Sequence, residues 1–194
     1  MFFRYLLLLL QSRNGNMSPL FKKKKNMVTV NIYDKDLAHA AEEGIDSFLQ
    51  LIIDKTRESI GGELTADNMS RMSSDQITLI GYATLRDELM DGGFIQLIHN
   101  GYGPFFFRNP FDAAVRGWGL VELCRLMRRV KKQYLRYKDD IEKEMTDEEF
   151  MAAYEAFPVF DDFDDDFVSN EEQWSGDVAH YVDEHLEKFI TIIE

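Results

Sequence analysis

The sequence predicts an all-α protein, a compact bundle of about six to eight helices. Three observations point there. Apolar residues recur at alternating spacings of three and four along most of the chain after Asp34, the mark of one buried helix face. Helix-start signals precede several of these runs. Strand-like alternation is confined to Val28 to Ile32.

The elements follow in order. Asp34 or Asp36 is expected to cap a first helix whose stripe is Ala38, Ala41, Ile45, Phe48, Leu49 and Ile52. Gly61-Gly62 ends it, and a polar, Met-containing stretch to Arg71 links onward. Ser73 with Gln76 fits a capping box that opens a second helix through Leu89. Gly92-Gly93 stops that helix, with Gly92 expected in the left-handed turn. Phe94 to His99 forms one or two further turns, and Gly101 to Phe107 a loop with an aromatic cluster.

Asn109-Pro110 supplies an N-cap followed by proline at the first helical position. From Gly119 the stripe Leu120, Leu123, Met127, Val130, Tyr134, Tyr137 and Ile141 gives a long amphipathic helix. Its opposite face carries Arg125, Arg128, Arg129, Lys132 and Arg136. Thr146 before Asp-Glu-Glu starts another helix, with acids at its positive end. An acidic loop at 161–166 then leads to a last helix burying Val178, Tyr181, Val182, His185 and Phe189.

Charge is unevenly distributed. The 194 residues hold 22 basic and 35 acidic groups. Residues 1–26 contain Arg4, Arg13, Lys22, Lys23, Lys24 and Lys25 and no acid, so the body from Met27 carries a net charge of −19. Such a body repels nucleic acid and anionic membranes and attracts basic partners. No direct nucleic-acid binding and no membrane association are expected. The lone Cys124 excludes an intramolecular disulfide and fits a reducing, cytoplasmic setting.

Residues 1–26 read as an appendage and 27–194 as a single helical domain. Met1 to Leu10 is apolar but for Arg4, yet polar residues follow where a small-residue cleavage site belongs. It also falls short of the roughly 20 residues that span a bilayer. The segment is read as a translated upstream region, with the natural start at Met17 or Met27, or as an uncleaved amphipathic anchor.

Residues 108–138 hold nine basic groups against two acids, whereas residues 139–194 hold twenty acids against Lys143 and Lys188. The two parts can neutralise each other within the fold or across a dimer. About eleven acids remain after full pairing, which opens the reading of an acidic face that imitates DNA. B-DNA presents one charge per ~1.7 Å of axis. A helix rises ~1.5 Å per residue, so acids at i, i+4 give one charge per ~6 Å. Imitation therefore requires several acidic segments side by side, or two subunits.

The chemical motifs fail on inspection, and no cofactor, metal site or catalytic residue is expected. Asp162, Asp164 and Asp166 match the opening of a calcium loop, but Phe167 stands for the sixth-position glycine and Gln173 for the closing glutamate. His180 and His185 are five residues apart and do not share a helix face as an i, i+4 pair would. Cys124 lies beside the core stripe and reads as a buried thiol. No phosphate loop, serine elbow or dinucleotide fingerprint occurs.

Residues 87–100, Asp-Glu-Leu-Met-Asp-Gly-Gly-Phe-Ile-Gln-Leu-Ile-His-Asn, carry an acidic residue, then Asp-Gly-Gly-Phe-x-Gln, then Asn four residues on. The bearers are Glu88, Asp91, Gly92, Gly93, Phe94, Gln96 and Asn100. This resembles the hallmark of a bacterial all-α domain family of largely unknown function whose characterised member is a dimeric DNA-mimic protein. Asp165-Asp-Phe167, Tyr181, His185 and Phe189 are similar to its later segments, and the likeness covers about residues 75–192. It implies an all-helical domain, a homodimer, and an acidic face that competes with DNA for a DNA-binding protein. The glycine motif itself reads as a helix stop and packing corner.

Two functions remain open. One is a non-enzymatic acidic module for a basic DNA-binding partner such as a transcription factor. Its expected partner-facing acids are Asp161, Asp162, Asp164, Asp165, Asp166, Glu171 and Glu172. The other is an enzyme or ligand binder with a pocket at Gln96, His99, Asn100 and the 102–107 aromatic loop.

Overall fold

The computed structural model describes residues 26–194, so the expected appendage lies outside the described residues except for Asn26. Among the described residues the architecture is all-α, with nine helices and one pair of three-residue strands. The chain divides into two compact units, Gly81–Tyr181 and the residues on either side of it. The division falls within two helices, after Ile80 and after Tyr181.

The first unit opens with β1 (Asn31–Tyr33), which pairs in parallel with β2 (Thr191–Ile193), Ile32 opposite Ile192. Val30 and Ile32 are buried, but of the alternating run 28–32 only Asn31 and Ile32 lie in the strand. α1 (Asp34–Glu43) and α2 (Ile45–Ile60) follow. The apolar stripe from Ala38 to Ile52 predicts a single helix here. Gly44, at φ 122°, breaks it. The break resets the helical phase, so Leu37 and Ala40 face inward in place of Ala38 and Ala41, and Ile45 is exposed. Asp34 and Asp36 do not cap. They lie inside the first turn of α1, where the helix dipole still favours them.

Gly61, at φ 81°, ends α2 as expected. The linker holds a helical turn, α3 (Ala66–Met69), opened by a Thr65/Asn68 capping box. The Ser73/Gln76 box opens α4 (Ser74–His99): Gln76 N donates to Ser73 Oγ at 3.0 Å and Ser73 N to Gln76 Oε1 at 3.1 Å. Gln76 Nε2 also donates to the Phe189 carbonyl at 2.8 Å, tying down the C-terminal segment.

In the second unit, residues 103–108 form α5 (Gly103–Arg108) where the sequence reading placed a loop. Pro104 fits there because a first-turn N–H has no helical partner to lose. Phe105, Phe106 and Phe107 are all buried. Asn109 does not cap the next helix. It ends α5, donating from Nδ2 to the Phe105 carbonyl at 3.1 Å, and Pro110 occupies the cap of α6 (Phe111–Gly117). α7 (Val121–Ile141) follows the expected stripe, and Leu123, Met127, Val130, Tyr134 and Ile141 are buried. α8 (Asp147–Ala156) starts at the Thr146/Glu149 capping box.

The acidic stretch 161–166 is not a loop. It forms the first turns of α9 (Asp161–Glu184), preceded by a 3₁₀ turn at Pro158–Phe160. Phe160, Phe163, Phe167, Trp174 and Val178 make the buried stripe that holds this helix down. The acids sit at its positive end, where they are favoured. A helical 162–173 also has no calcium-loop geometry. Val178 and Val182 are buried as expected; Tyr181 and His185 are only half-buried, and His185 lies beyond α9, capping a 3₁₀ turn. Tyr181 stacks on Trp118 at 4.8 Å.

Candidate functional site

The site grows from the interruption of α4. Gly92 (φ −152°, ψ 16°) and Gly93 (φ 72°, ψ −169°) leave helical geometry, and the chain resumes as a second arm from Phe94. Gly93 is therefore the left-handed residue, and the expectation for Gly92 is corrected. A Cβ on Gly92 would stand 2.1 Å from Gln96 Oε1, so the Gln96 side chain would have to shift. A Cβ on Gly93 would meet Asp164 Oδ2 at 2.4 Å.

A resumed helix has N–H groups without helical partners. Asp164, on α9, supplies the missing acceptor: Phe94 N donates to its Oδ1 at 2.8 Å. Tyr154, on α8, donates its hydroxyl to the Gly92 carbonyl at 2.9 Å. Around the turn, Glu88 Oε2 accepts from Gln96 Nε2 at 3.2 Å and Asn100 Nδ2 at 2.8 Å, and Asp91 Oδ2 accepts from Gln96 Nε2 at 2.8 Å. All seven motif residues, Glu88 to Asn100, thus meet at one corner. Tyr154 and Asp164 complete it, and neither was read from the sequence as part of the motif.

The corner is electrostatically loaded. Burial pushes the Asp164 carboxyl up to about 7; the Phe94 N–H pulls the other way, and Asp161 and Asp165 add to the rise. Burial also raises the Tyr154 phenol, with Asp164, Asp91 and Glu88 contributing.

The acids expected to face a partner are in two settings. Asp161, Asp162, Asp165 and Glu172 are exposed on α9. Asp164 is turned into the corner. Asp166 is half-buried and accepts from Arg129 Nη1 at 2.9 Å. Glu171 accepts from Arg86 Nε and from Ser175 Oγ, and Ser175 in turn meets the Tyr82 hydroxyl at 2.9 Å. Burial pushes the Tyr82 phenol up to about 12.

Residues 70–185 match the family model described as DMP19-like protein. The chain belongs to the DMP19-like family. A relative from Neisseria meningitidis serogroup B (strain ATCC BAA-335 / MC58), described as DNA mimic protein DMP19, is 29% identical over 128 residues. That alignment covers 65% of this chain and 77% of the relative. The DMP19-like span contains the whole glycine corner, α7 and α9.

Within this DMP19-like span the polar groups of the alternative reading are engaged inside the fold. The Gln96 and Asn100 amides bond to Glu88 and Asp91. His99 Nδ1 lies 3.0 Å from the Ile141 carbonyl, with its ring 4.7 Å from Phe150. The phenylalanines of 102–107 pack inward. On the basic face of α7, Arg125 pairs with Glu122, Arg128 Nε with Asp112 at 2.7 Å, and Arg129 with Asp166. The Arg129 pair joins the basic stretch to the acidic one within the fold. Cys124 is a buried free thiol. Among the described residues, no helix is long and apolar enough to cross a membrane.

Proposed function

We propose that this chain is a non-enzymatic DNA mimic that occupies the DNA-binding surface of a basic protein such as a transcription factor. The observation that carries the reading is the exposed set Asp161, Asp162, Asp165 and Glu172 at the start of α9. It lies within the span that matches a family whose relative is described as a DNA mimic. α8 adds exposed Asp147, Glu148 and Glu155 to the same unit, in keeping with the need for several acidic segments. One unit still falls short of the charge spacing of a duplex. We therefore place a second copy beside it and read the active form as a homodimer, working in the cytoplasm without direct nucleic-acid binding.

The test is capture of binding proteins from a lysate of the source organism, then competition of each with duplex DNA. Mutually exclusive binding is expected. A captured protein that holds DNA and this chain at once overturns mimicry.

A further inference from the structure

Asp164 is placed where a carboxylate has little support. It is half-buried between the Gly93 backbone and the Phe94 N–H, the single donor bonded to it among the described residues. Asp161 and Asp165 on its own helix bear on it with negative charge, and Asp164 in turn acts on the Tyr154 phenol of α8 together with Glu88 and Asp91 of α4. Arg129, a cation of α7, is engaged by Asp166. Loss of water and neighbouring negative charge both favour the protonated form. Asp161 and Asp165, which act on Asp164, are themselves exposed.

We propose that partner binding at the acidic start of α9 is linked to a proton: a cationic partner docking on Asp161 and Asp165 drives the Asp164 proton into solvent, so that binding is tighter at higher pH. The inference rests on reading this face as the partner-binding surface. The docked cation supplies the positive charge that the corner lacks and so favours the ionised carboxylate. By reciprocity, ionisation of Asp164 favours the cation equally. The ionised form also makes the stronger, charge-assisted bond to the Phe94 N–H, so the bound state holds the corner more tightly.

Two measurements on the full chain decide this, with a ten-residue polylysine peptide as the cationic probe. The first follows the Phe94 amide by NMR across pH; an inflection near 7 is expected, and its absence overturns the proposal. The second is calorimetry of peptide binding in buffers of low and high ionisation enthalpy. Up to one proton should leave per peptide bound, with affinity rising by no more than about tenfold per pH unit. Asp164→Asn keeps an oxygen for Phe94 N–H and should bind the peptide without that proton release; unchanged release overturns the linkage. Should that variant fail to fold, the pair Asp161→Asn and Asp165→Asn must lower both the affinity and the proton count. If the peptide fails to bind the parent chain, the proposed function and its linkage fall together. An Asp164 inflection in the amide titration would then show that the corner titrates as described and that the face, not the corner, was misread.

Discussion

The Phe94 backbone N–H and the Asp164 carboxylate, 70 positions apart in the chain, meet at 2.8 Å. The bond does for the second arm of α4 what an N-cap side chain ordinarily does from within its own helix. It also fixes the first turns of the acidic helix against the turn that interrupts α4.

Gly93 should be the least replaceable residue of that turn. A Cβ at φ 72°, ψ −169° lies in a region essentially reserved for glycine and is strained by about 1–3 kcal/mol from conformation alone, and here it also strikes Asp164. Gly93→Ala should therefore lower the melting temperature by several degrees or more. Gly92→Ala meets Gln96 without backbone strain and should do less harm. Equal melting temperatures for Gly93→Ala and the parent would refute the geometry.

Stability should carry the mark of Asp164. A carboxyl that titrates higher in the folded chain than in the unfolded one contributes stability that is fully present below its unfolded value of about 4. That contribution is lost as pH rises toward the folded value of about 7. Urea midpoints of the parent minus those of Asp164→Asn should accordingly fall from pH 4 to pH 7 and level off above it. A flat difference would place Asp164 in water.

Glu88 accepts from both Gln96 and Asn100. Glu88→Ala removes the acceptor of the Asn100 amide and one of the two acceptors of Gln96, and should cost about 1 kcal/mol. Glu88→Gln keeps an acceptor oxygen and should recover part of the loss. A denaturant midpoint for Glu88→Ala equal to the parent's would show that the two amides find water without cost.

Cys124 is only 2% exposed. It should resist alkylation by iodoacetamide in the folded chain and react fully in denaturant, as read by intact mass. Rapid labelling of the native protein would contradict the packing of α7.

Neutralising the exposed acids should separate binding from folding. Asp161→Asn, Asp162→Asn, Asp165→Asn and Glu172→Gln together should leave the melting temperature within a few degrees. They should slow association with a basic partner, since exposed charges act mainly on the encounter rate. Binding by the parent should weaken steeply with salt as the Debye length drops from about 10 Å at 0.1 M to about 3 Å at 1 M. Equal association rates for the two chains would make the acids a solubility feature only.

Local signals were legible where structure is decided locally. The Ser73/Gln76 pair, the helix start at Thr146 and the stripe of α7 follow from four-residue and seven-residue patterns. The start of α9 is hard to read because five acids among residues 161–166 resemble a solvated loop, while the buried phenylalanines at 160, 163 and 167 make it helical. Pro104 and the run of three phenylalanines concealed α5, since burial on all sides leaves no periodicity to read. The motif residues could be named as a packing corner, but its closing partners could not. Tyr154 and Asp164 arrive from distant positions, and no local pattern announces a hydrogen bond of that range. Of the seven acids expected to face a partner, Asp164, Asp166 and Glu171 are engaged within the fold for the same reason.

The parallel pairing of Asn31–Tyr33 with Thr191–Ile193 also sets a schedule. The second unit is one continuous stretch, Gly81–Tyr181, and every residue that it needs has been synthesised before Val182. The first unit is written in two pieces on either side of it, so its strand pair closes across nearly the whole described chain. Contacts of such separation form slowly, because the entropy of closing the loop is lost before the contact returns anything. During synthesis the second unit is free to fold while β1 still waits for its partner. An interrupted chain that stops short of Thr191 therefore leaves the apolar edge of Val30 and Ile32 without its strand, a form suited to recognition by chaperones and proteases.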